Sequence, residues 1–281
     1  MAKVGFLYLW NTTSYLKLLS MKKLLFFLLM LGLSPQMSGQ YNPEINTLTW
    51  SDEFDKNGLP DPAKWGYEEG YVRNKELQYY TKENKKNVVQ EKGCLVITAR
   101  KENKGDYPIT SGSINTLGKY AFFYGRVEVC AKLPLGLGSW PAIWMMGTDI
   151  RDKGWPECGE IDIMENVGFE PNRIYATVHT PGTRKDASKV KQGNSLMLED
   201  AHTAFHVYAV EWYPDRLDFF LDGRKYHTYA KESTLPDYWR FDKPQYLLLN
   251  LAFGGAWGGT KGVDESVLPL QYSIDWVRYY Q

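Results

Sequence analysis

Three acidic residues stand close together in an otherwise apolar stretch, namely Glu160, Asp162 and Glu165. In an extended strand the side chains alternate between two faces, so Glu160 and Asp162 would share one face and the isoleucines between them the other. Carboxyl groups that face each other can supply a nucleophile and a general acid or base. The spacing therefore makes this stretch the first candidate for chemistry.

Strict alternation would break this arrangement at Glu165, because it would place Met164 with the acids and turn Glu165 into the core. A buried carboxylate without a partner costs several kcal/mol. We therefore predict one extra residue near Ile163 and Met164, a β-bulge, which returns Glu165 to the acidic face.

With the bulge, the backbones of Glu160 and Glu165 would lie about four strand steps apart, roughly 13 Å. Side chains that lean together over a bent strand could bring the two carboxyl groups to roughly 5 to 5.5 Å. The charge of Asp162 between them would raise the pKa of at least one neighbour, which suits a general acid. An acidic strand facing solvent and a calcium-binding cluster are the competing interpretations.

Tryptophans accompany the acids. Trp140 and Trp144 are four residues apart and would share one face of a strand, where indole rings can stack on the apolar faces of sugar rings. Core tryptophans would show the same spacing. Trp155 and Trp257 lie in glycine-rich loops, where a role in the core is less expected.

The stretch from Glu160 to Glu165 resembles the signature of glycoside hydrolase family 16 in its bulged, laminarinase-like form. Further segments continue the resemblance, in the family's order, over nearly all of residues 45 to 281. They are Trp50-Ser51-Asp52-Glu53-Phe54, Asn74-Lys75-Glu76-Leu77-Gln78-Tyr79-Tyr80, Leu95-Val96-Ile97-Thr98-Ala99-Arg100, Trp140-Pro141-Ala142-Ile143-Trp144, Ala176-Thr177-Val178-His179, Asn250-Leu251-Ala252-Phe253-Gly254-Gly255 and Ile274-Asp275-Trp276-Val277-Arg278.

The resemblance implies a role for each candidate residue. Glu160 would be the nucleophile, Glu165 the acid/base, and Asp162 would position Glu160 and modulate its charge. Substrate-binding positions would be Asn74, Arg100, Trp140, Trp144, His179 and Trp257. Trp155 is added as a further substrate-binding candidate because of its place in a glycine-rich loop. A structural calcium ion, bound mainly through backbone oxygens, would lie at Glu53, Gly93 and Asp275, and no cofactor would be needed for catalysis.

The implied activity is a retaining endo-β-glucanase that cuts β-1,3-glucan such as laminarin, or mixed β-1,3/1,4-glucan. Three alternatives stay open. The chain could be a non-catalytic glucan-binding jelly roll, a transglycosylase that passes the sugar to another acceptor, or a hydrolase of another β-linked polysaccharide such as a galactan.

The fold is expected to be all-β. From residue 48 onward, short alternating runs are separated by turn residues; Val127, Val129 and Ala131, for example, alternate with charged residues. Asp222-Gly223 predicts a hairpin, and 246–253 is an apolar run typical of a strand covered on both faces. These patterns indicate a β-sandwich, and the resemblance implies a jelly roll with a concave, substrate-binding sheet.

The first 40 residues are predicted to be processing signals. Met21-Lys22-Lys23 and the apolar run from Leu24 to Leu33 have the form of a signal peptide over 21–40, which is too short to span a bilayer. Residues 1–20 would be an artefact of the gene start, and 41–281 the catalytic domain. The protein would be secreted or periplasmic, and a monomer.

Composition limits the partners. The chain has 33 basic and 33 acidic residues and thus no formal net charge, which argues against nucleic acid as a partner.

Cys94, Cys130 and Cys158 allow at most one internal disulfide, and Cys158 is not expected to be a nucleophile. The spacing of His202 and His206 would suit a zinc pair only on a helix, but the sequence there predicts a strand.

Overall fold

The structure, a computed structural model, describes residues 41–281. The predicted gene-start segment 1–20 and the predicted signal peptide 21–40 lie outside the described residues. Both stay predictions.

Strands make up most of the described chain. They are β1 (Leu48–Asp52), β2 (Gly66–Tyr67), β3 (Gln78–Tyr80), β4 (Val88–Glu91), β5 (Cys94–Lys104), β6 (Tyr107–Ser111), β7 (Ser113–Asn115), β8 (Gly125–Lys132), β9 (Ser139–Gly147), β10 (Glu160–Glu165), β11 (Arg173–His179), β12 (Gly193–Met197), β13 (His206–Trp212), β14 (Arg216–Leu221), β15 (Arg224–Ala230), β16 (Gln245–Phe253) and β17 (Leu270–Tyr280). Short α-helices lie at α1 (Ile150–Lys153), α2 (Pro181–Lys185) and α3 (Gly255–Gly258), and 3-10 turns at Ala187–Lys189, Pro236–Tyr238 and Glu265–Val267.

The strands form two sheets. A seven-stranded sheet has the order β12-β11-β10-β9-β16-β7-β2. A ten-stranded sheet has the order β15-β14-β13-β8-β17-β5-β6-β3, with β1 added beside β17 and β4 beside β5. This arrangement confirms the expected all-β sandwich of jelly-roll type.

The core lies between the two sheets because alternate side chains of each strand face inward. Val127, Val129 and Ala131 of β8 belong to it, as predicted, while Arg126 and Glu128 point to the other face of β8 and form an ion pair there at 2.7 Å. Burial of apolar area at roughly 25 cal/mol per Å² is the main term that holds such a core together.

Two local predictions are also confirmed. β14 and β15 form a hairpin, and both of its turn residues, Asp222 and Gly223, have positive φ, at 48° and 75°. This is the backbone that type I′ turns require. β16 is buried along its whole length, with its inner face in the core and its outer face beneath a cleft.

Within residues 41–281, no helix has both the length and the apolar character needed to cross a membrane.

Candidate active site

Strand β10 carries the three acids and is irregular at its centre. Relative to β9, the register slips by one residue between Asp162 and Met164, so Ile163 has no partner on β9. Ile163 and Met164 are both fully buried in the core, and Glu165 faces the cleft beyond them. The predicted bulge is therefore confirmed, and it brings the acids to one face.

The acids line a cleft of about 880 Å³ on the outer face of the seven-stranded sheet. This volume is within the range of pockets that bind small molecules and sugars. The cleft face of β9 continues the lining, because Trp140, Ala142, Trp144 and Met146 point into the cleft while Ile143 and Met145 enter the core. The predicted shared face of Trp140 and Trp144 is thus confirmed.

Each glutamate accepts a hydrogen bond from an indole. Trp155 donates from Nε1 to Oε2 of Glu160 at 2.6 Å, and Trp140 donates from Nε1 to Oε1 of Glu165 at 2.9 Å. In each glutamate, only one of the two carboxyl oxygens accepts a hydrogen bond from an indole. The two donors fix the orientation of the glutamates without neutralising them.

Asp162 lies between the glutamates and is almost fully buried. His179, which pairs with Glu160 across β10 and β11, brings its Nε2 within 3.3 Å of Asp162 Oδ2. The contact lacks hydrogen-bond alignment, and Asp162 Oδ2 has no hydrogen-bond partner among the described residues. The surroundings therefore position Asp162, but one of its two carboxyl oxygens is left without a hydrogen bond.

Crowding and burial raise the proton affinity of all three acids. Burial raises the pKa of Glu160 to about 8, with a further contribution from Asp162 that His179 opposes. Burial also raises the pKa of Glu165 to about 7, against the hydrogen bond from Trp140. The pKa of Asp162 rises well above its usual value, through burial first and the charge of Glu165 second. The group therefore holds protons at neutral pH, as general acid catalysis requires.

Three of the predicted tryptophans offer ring surface to the cleft. Trp155 is exposed, and Trp140 and Trp257 are half-buried against each other with ring centroids 5.6 Å apart. Tyr175 packs edge-on against Trp257 at 5.0 Å and extends this aromatic wall. The sequence analysis did not single out Tyr175, which lies on β11 directly before the Ala176-Thr177-Val178-His179 segment.

Trp144 does not offer a sugar platform, which corrects the sequence-based expectation. Its side chain lines the cleft but is only 5% exposed. The guanidinium of Arg73 lies over its ring at 4.8 Å, and its Nε1 donates to Asn250 Oδ1 at 2.7 Å. An arginine from a distant loop therefore occupies the face that a sugar would need.

Asn74 lines the cleft as predicted, and it belongs to a polar network that the sequence analysis missed. Its Nδ2 donates to Glu76 Oε1 at 3.2 Å, while Gln78 and Tyr80 donate to Glu76 Oε2 at 2.6 and 3.2 Å. Glu76 is buried, and burial raises its pKa. Tyr80 in turn accepts from Asn250 at 3.0 Å. The alternation of polar residues at 74, 76 and 78 was the available signal.

Arg100 lies outside the cleft, so the expectation that it hydrogen-bonds substrate there is wrong. It sits on β5 of the ten-stranded sheet and pairs with Thr110 of β6. Leu95, Ile97 and Ala99 of the same strand face the core, so Arg100 points outward on the opposite side of the sandwich. Of the predicted substrate-binding residues, the other six all line the cleft.

The other reactive side chains do not form competing sites. Cys158 is a buried free thiol, and burial raises its pKa to about 11, which opposes nucleophilic reactivity. His202 contacts the carbonyl oxygens of Leu133 and Pro171. His206 opens strand β13 and binds Asp222 and Asp200 through different ring nitrogens. The two histidines do not share a zinc site.

The three predicted calcium residues converge by strand pairing. β1, which ends just before Glu53, lies along β17, and the β4–β5 turn that contains Gly93 meets β17 near Asp275. The carboxylate of Glu53 accepts from Arg278 at 2.8 and 3.1 Å, so its backbone oxygen is what remains for a metal. Two backbone oxygens and the Asp275 carboxylate are donors of the kind that calcium prefers.

Comparison with known proteins identifies the relatives of this chain. The model of the glycosyl hydrolases family 16 matches residues 75–278. A "Beta-glucanase" of Rhodothermus marinus is 45% identical in an alignment of 244 residues that covers 83% of this chain and 85% of the relative. "Glucan endo-1,3-beta-glucosidase A1" of Niallia circulans is 35% identical over 83% of this chain, which spans only 38% of that longer protein.

A solved structure supports the same relationship at the level of the fold. The X-ray structure of the laminarinase from Rhodothermus marinus superimposes with a TM-score of 0.79 at 43% sequence identity. The match covers 84% of this chain and 97% of that one.

The raised pKa values predict a pH-dependent cost in stability. Between pH 4.5 and about 8, Glu160 ionises in the unfolded chain but keeps its proton in the folded one, so unfolding is increasingly favoured as pH rises. We expect Glu160→Gln to be more stable than the parent by about 1 kcal/mol or more at pH 8, and by much less at pH 4.5. Thermal unfolding across this range measures the difference.

Glu232→Gln is the matched control, because this glutamate is exposed and far from the cleft in sequence. Its stability difference from the parent should not change with pH. A Glu160→Gln variant whose advantage is constant, or greatest at pH 4.5, would contradict the raised pKa of Glu160.

Proposed function

The chain belongs to glycoside hydrolase family 16, and we propose that it is a retaining endo-β-glucanase that hydrolyses β-1,3-glucan or mixed β-1,3/1,4-glucan. The observation that carries the proposal is the bulged strand β10, which presents Glu160, Asp162 and Glu165 together in an aromatic-walled cleft. The names of the relatives give the substrate class, since they describe glucanases and a laminarinase.

Glu160 is proposed as the nucleophile, by its position in the family signature. Asp162 is the most deeply buried of the three acids, and burial and the charge of Glu165 raise its pKa well above the usual value. The hydrogen bond that Trp155 donates to Glu160 lowers the pKa of Glu160, whereas the neighbouring Asp162 raises it. Glu160 attacks the anomeric carbon as a carboxylate while the glycosidic bond breaks. With the pKa of Glu160 raised to about 8, this form is the minor one at neutral pH, and the hydrogen bond from Trp155 and the neighbouring His179 favour it.

Glu165 is proposed as the acid/base. With its pKa raised to about 7, it carries a proton in much of the enzyme at neutral pH and gives it to the departing glycosidic oxygen. The resulting carboxylate then takes a proton from water, whose oxygen attacks the anomeric carbon and releases Glu160. Two inversions at one carbon leave the sugar with its original β configuration.

The aromatic wall is proposed to hold the glucan chain on either side of the acids. Trp140, Trp155 and Trp257 offer ring surface beside Glu165 and Glu160, and Asn74 and His179 supply polar contacts. Sugar rings have apolar faces and hydroxyl edges, so a cleft with indole faces and a few polar groups matches both.

Export is a separate proposal that rests on the sequence of 21–40. The lysine pair and the ten apolar residues that follow have the composition of a signal peptide. Amino-terminal sequencing of protein recovered from the periplasm or the medium should start near residue 40. Protein that stays in the cytoplasm with 21–40 attached would contradict the proposal.

We also propose a monomer, because one chain supplies the whole cleft, and light scattering should give the mass of one chain.

A structural calcium ion is proposed at the backbone oxygens of Glu53 and Gly93 and the carboxylate of Asp275, where it would tie β1 and the β4–β5 turn to β17. Removing calcium with EGTA should lower the unfolding temperature by several degrees, and re-added calcium should restore it. Asp275→Asn should abolish that response and leave turnover at low temperature unchanged. An unfolding temperature that does not respond to calcium would refute the site.

The catalytic roles predict the effect of isosteric changes. Glu160→Gln and Glu165→Gln should each lower kcat on laminarin at least about a hundredfold, since each removes a group the reaction needs, while both variants stay folded. Glu232→Gln should keep full activity. Reducing-sugar release and NMR of the first product measure the two outcomes, and the first product should be the β-anomer.

Other outcomes identify the rival functions. An α-anomer as the first product would overturn retention. Products longer than the donor would indicate a transglycosylase, and binding without any bond cleavage would indicate a glucan-binding protein.

A further inference from the structure

Glu160, Asp162 and His179 form a three-ligand cluster within the cleft. One potential ligand atom from each lies within 4.8 Å of the others, and in residues 41–281 no other group of three or more such side chains does so. The pairing of β10 with β11 creates the cluster. Glu160 and Asp162 are alternate residues on one strand, and His179 is directly opposite Glu160 on the next.

Asp162 gives an independent indication that a ligand is missing. The residue is only 2% exposed, its side chain lines the cleft, and its Oδ2 has no hydrogen-bond partner among the described residues. A buried carboxyl oxygen left without a partner is costly. The oxygen lies on the side of His179 Nε2, so a cation between the two would satisfy it.

The distances suit a tetrahedral ion. With bonds of about 2.0 to 2.1 Å, two ligands of one zinc ion lie about 3.3 to 3.4 Å apart. His179 Nε2 and Asp162 Oδ2 are 3.3 Å apart already. A carboxyl oxygen of Glu160 lies within 4.8 Å of both, so it needs to approach by at most about 1.4 Å to complete the set. A side-chain rotation provides that movement.

The donor set selects the class of metal. One imidazole nitrogen and two carboxylate oxygens suit zinc and similar transition ions. Calcium and magnesium prefer six or more oxygen ligands, or several retained waters, so they fit this cluster poorly. The remaining coordination position would face the cleft, where water can enter.

We propose that Glu160, Asp162 and His179 form a binding site for Zn²⁺ and similar transition-metal ions, and that the bound ion inhibits the enzyme. Coordination would occupy the Glu160 oxygen that must attack the anomeric carbon, and it would place a cation where the sugar has to lie. The inhibitory half of the proposal rests on the proposed function, whereas metal binding does not.

Calorimetric titration of the metal-stripped chain with Zn²⁺, without substrate, tests the site directly. We expect one ion per chain. Asp162→Asn, His179→Ala and the shape-preserving His179→Gln should each weaken binding tenfold or more. Unfolding temperatures of the variants show that they are folded, and the use of two His179 variants keeps the test valid if one of them is not.

Two matched variants should bind Zn²⁺ no more weakly than the parent. Glu165→Gln removes an acid of the same cleft that is outside the cluster. His206→Gln removes a histidine whose two acidic neighbours contact opposite ring nitrogens, so that one ion cannot bridge all three. Absence of binding, or an affinity that the Asp162 and His179 variants do not change, would overturn the proposal.

The inhibition is measured separately on laminari-oligosaccharides. Zn²⁺ should raise the apparent KM, and EDTA should restore it. If the chain binds Zn²⁺ as described but hydrolyses no glucan, the proposed function fails and the metal site stands. If it hydrolyses glucan but binds no Zn²⁺ at the cluster, the metal site fails alone.

Discussion

One unpaired residue in β10 determines the chemistry of this protein. Without the slip at Ile163, the alternation of the strand would bury Glu165 and leave Met164 among the acids. With it, two apolar side chains enter the core while the carboxyl groups stay in the cleft. The cost of burying a charge and the gain from burying Ile163 and Met164 favour the same backbone, so the active-site geometry is a consequence of core packing.

Bringing three acids to one face has an electrostatic cost, which the site uses. Burial and mutual repulsion raise the pKa of Glu160, Asp162 and Glu165, so the cluster keeps protons at a pH where isolated acids have lost them. The indoles of Trp155 and Trp140 then orient the glutamates with one hydrogen bond each. The site thereby sacrifices some stability for reactivity, as functional sites commonly do.

The sequence was sufficient for the sandwich, for the bulge and for the cleft face of β9, because these follow from alternation and from the cost of burying charge. The sequence could not predict contacts between segments that are distant along the chain. Nothing local shows that Arg73 covers Trp144 or that Trp155 reaches Glu160. The error at Arg100 was avoidable, since the core positions at 95, 97 and 99 already imply that residue 100 faces away from the cleft.

The most direct test of the account is to trap the covalent intermediate. A 2-deoxy-2-fluoro glucoside with a good leaving group slows release of the sugar, because fluorine destabilises the oxocarbenium-like transition state. Mass spectrometry of peptides from the trapped enzyme should find one sugar per chain, attached to Glu160. A sugar attached to Glu165 or Asp162, or consumption of the reagent with no adduct, would contradict the assignment of the nucleophile and the geometry derived from the bulge.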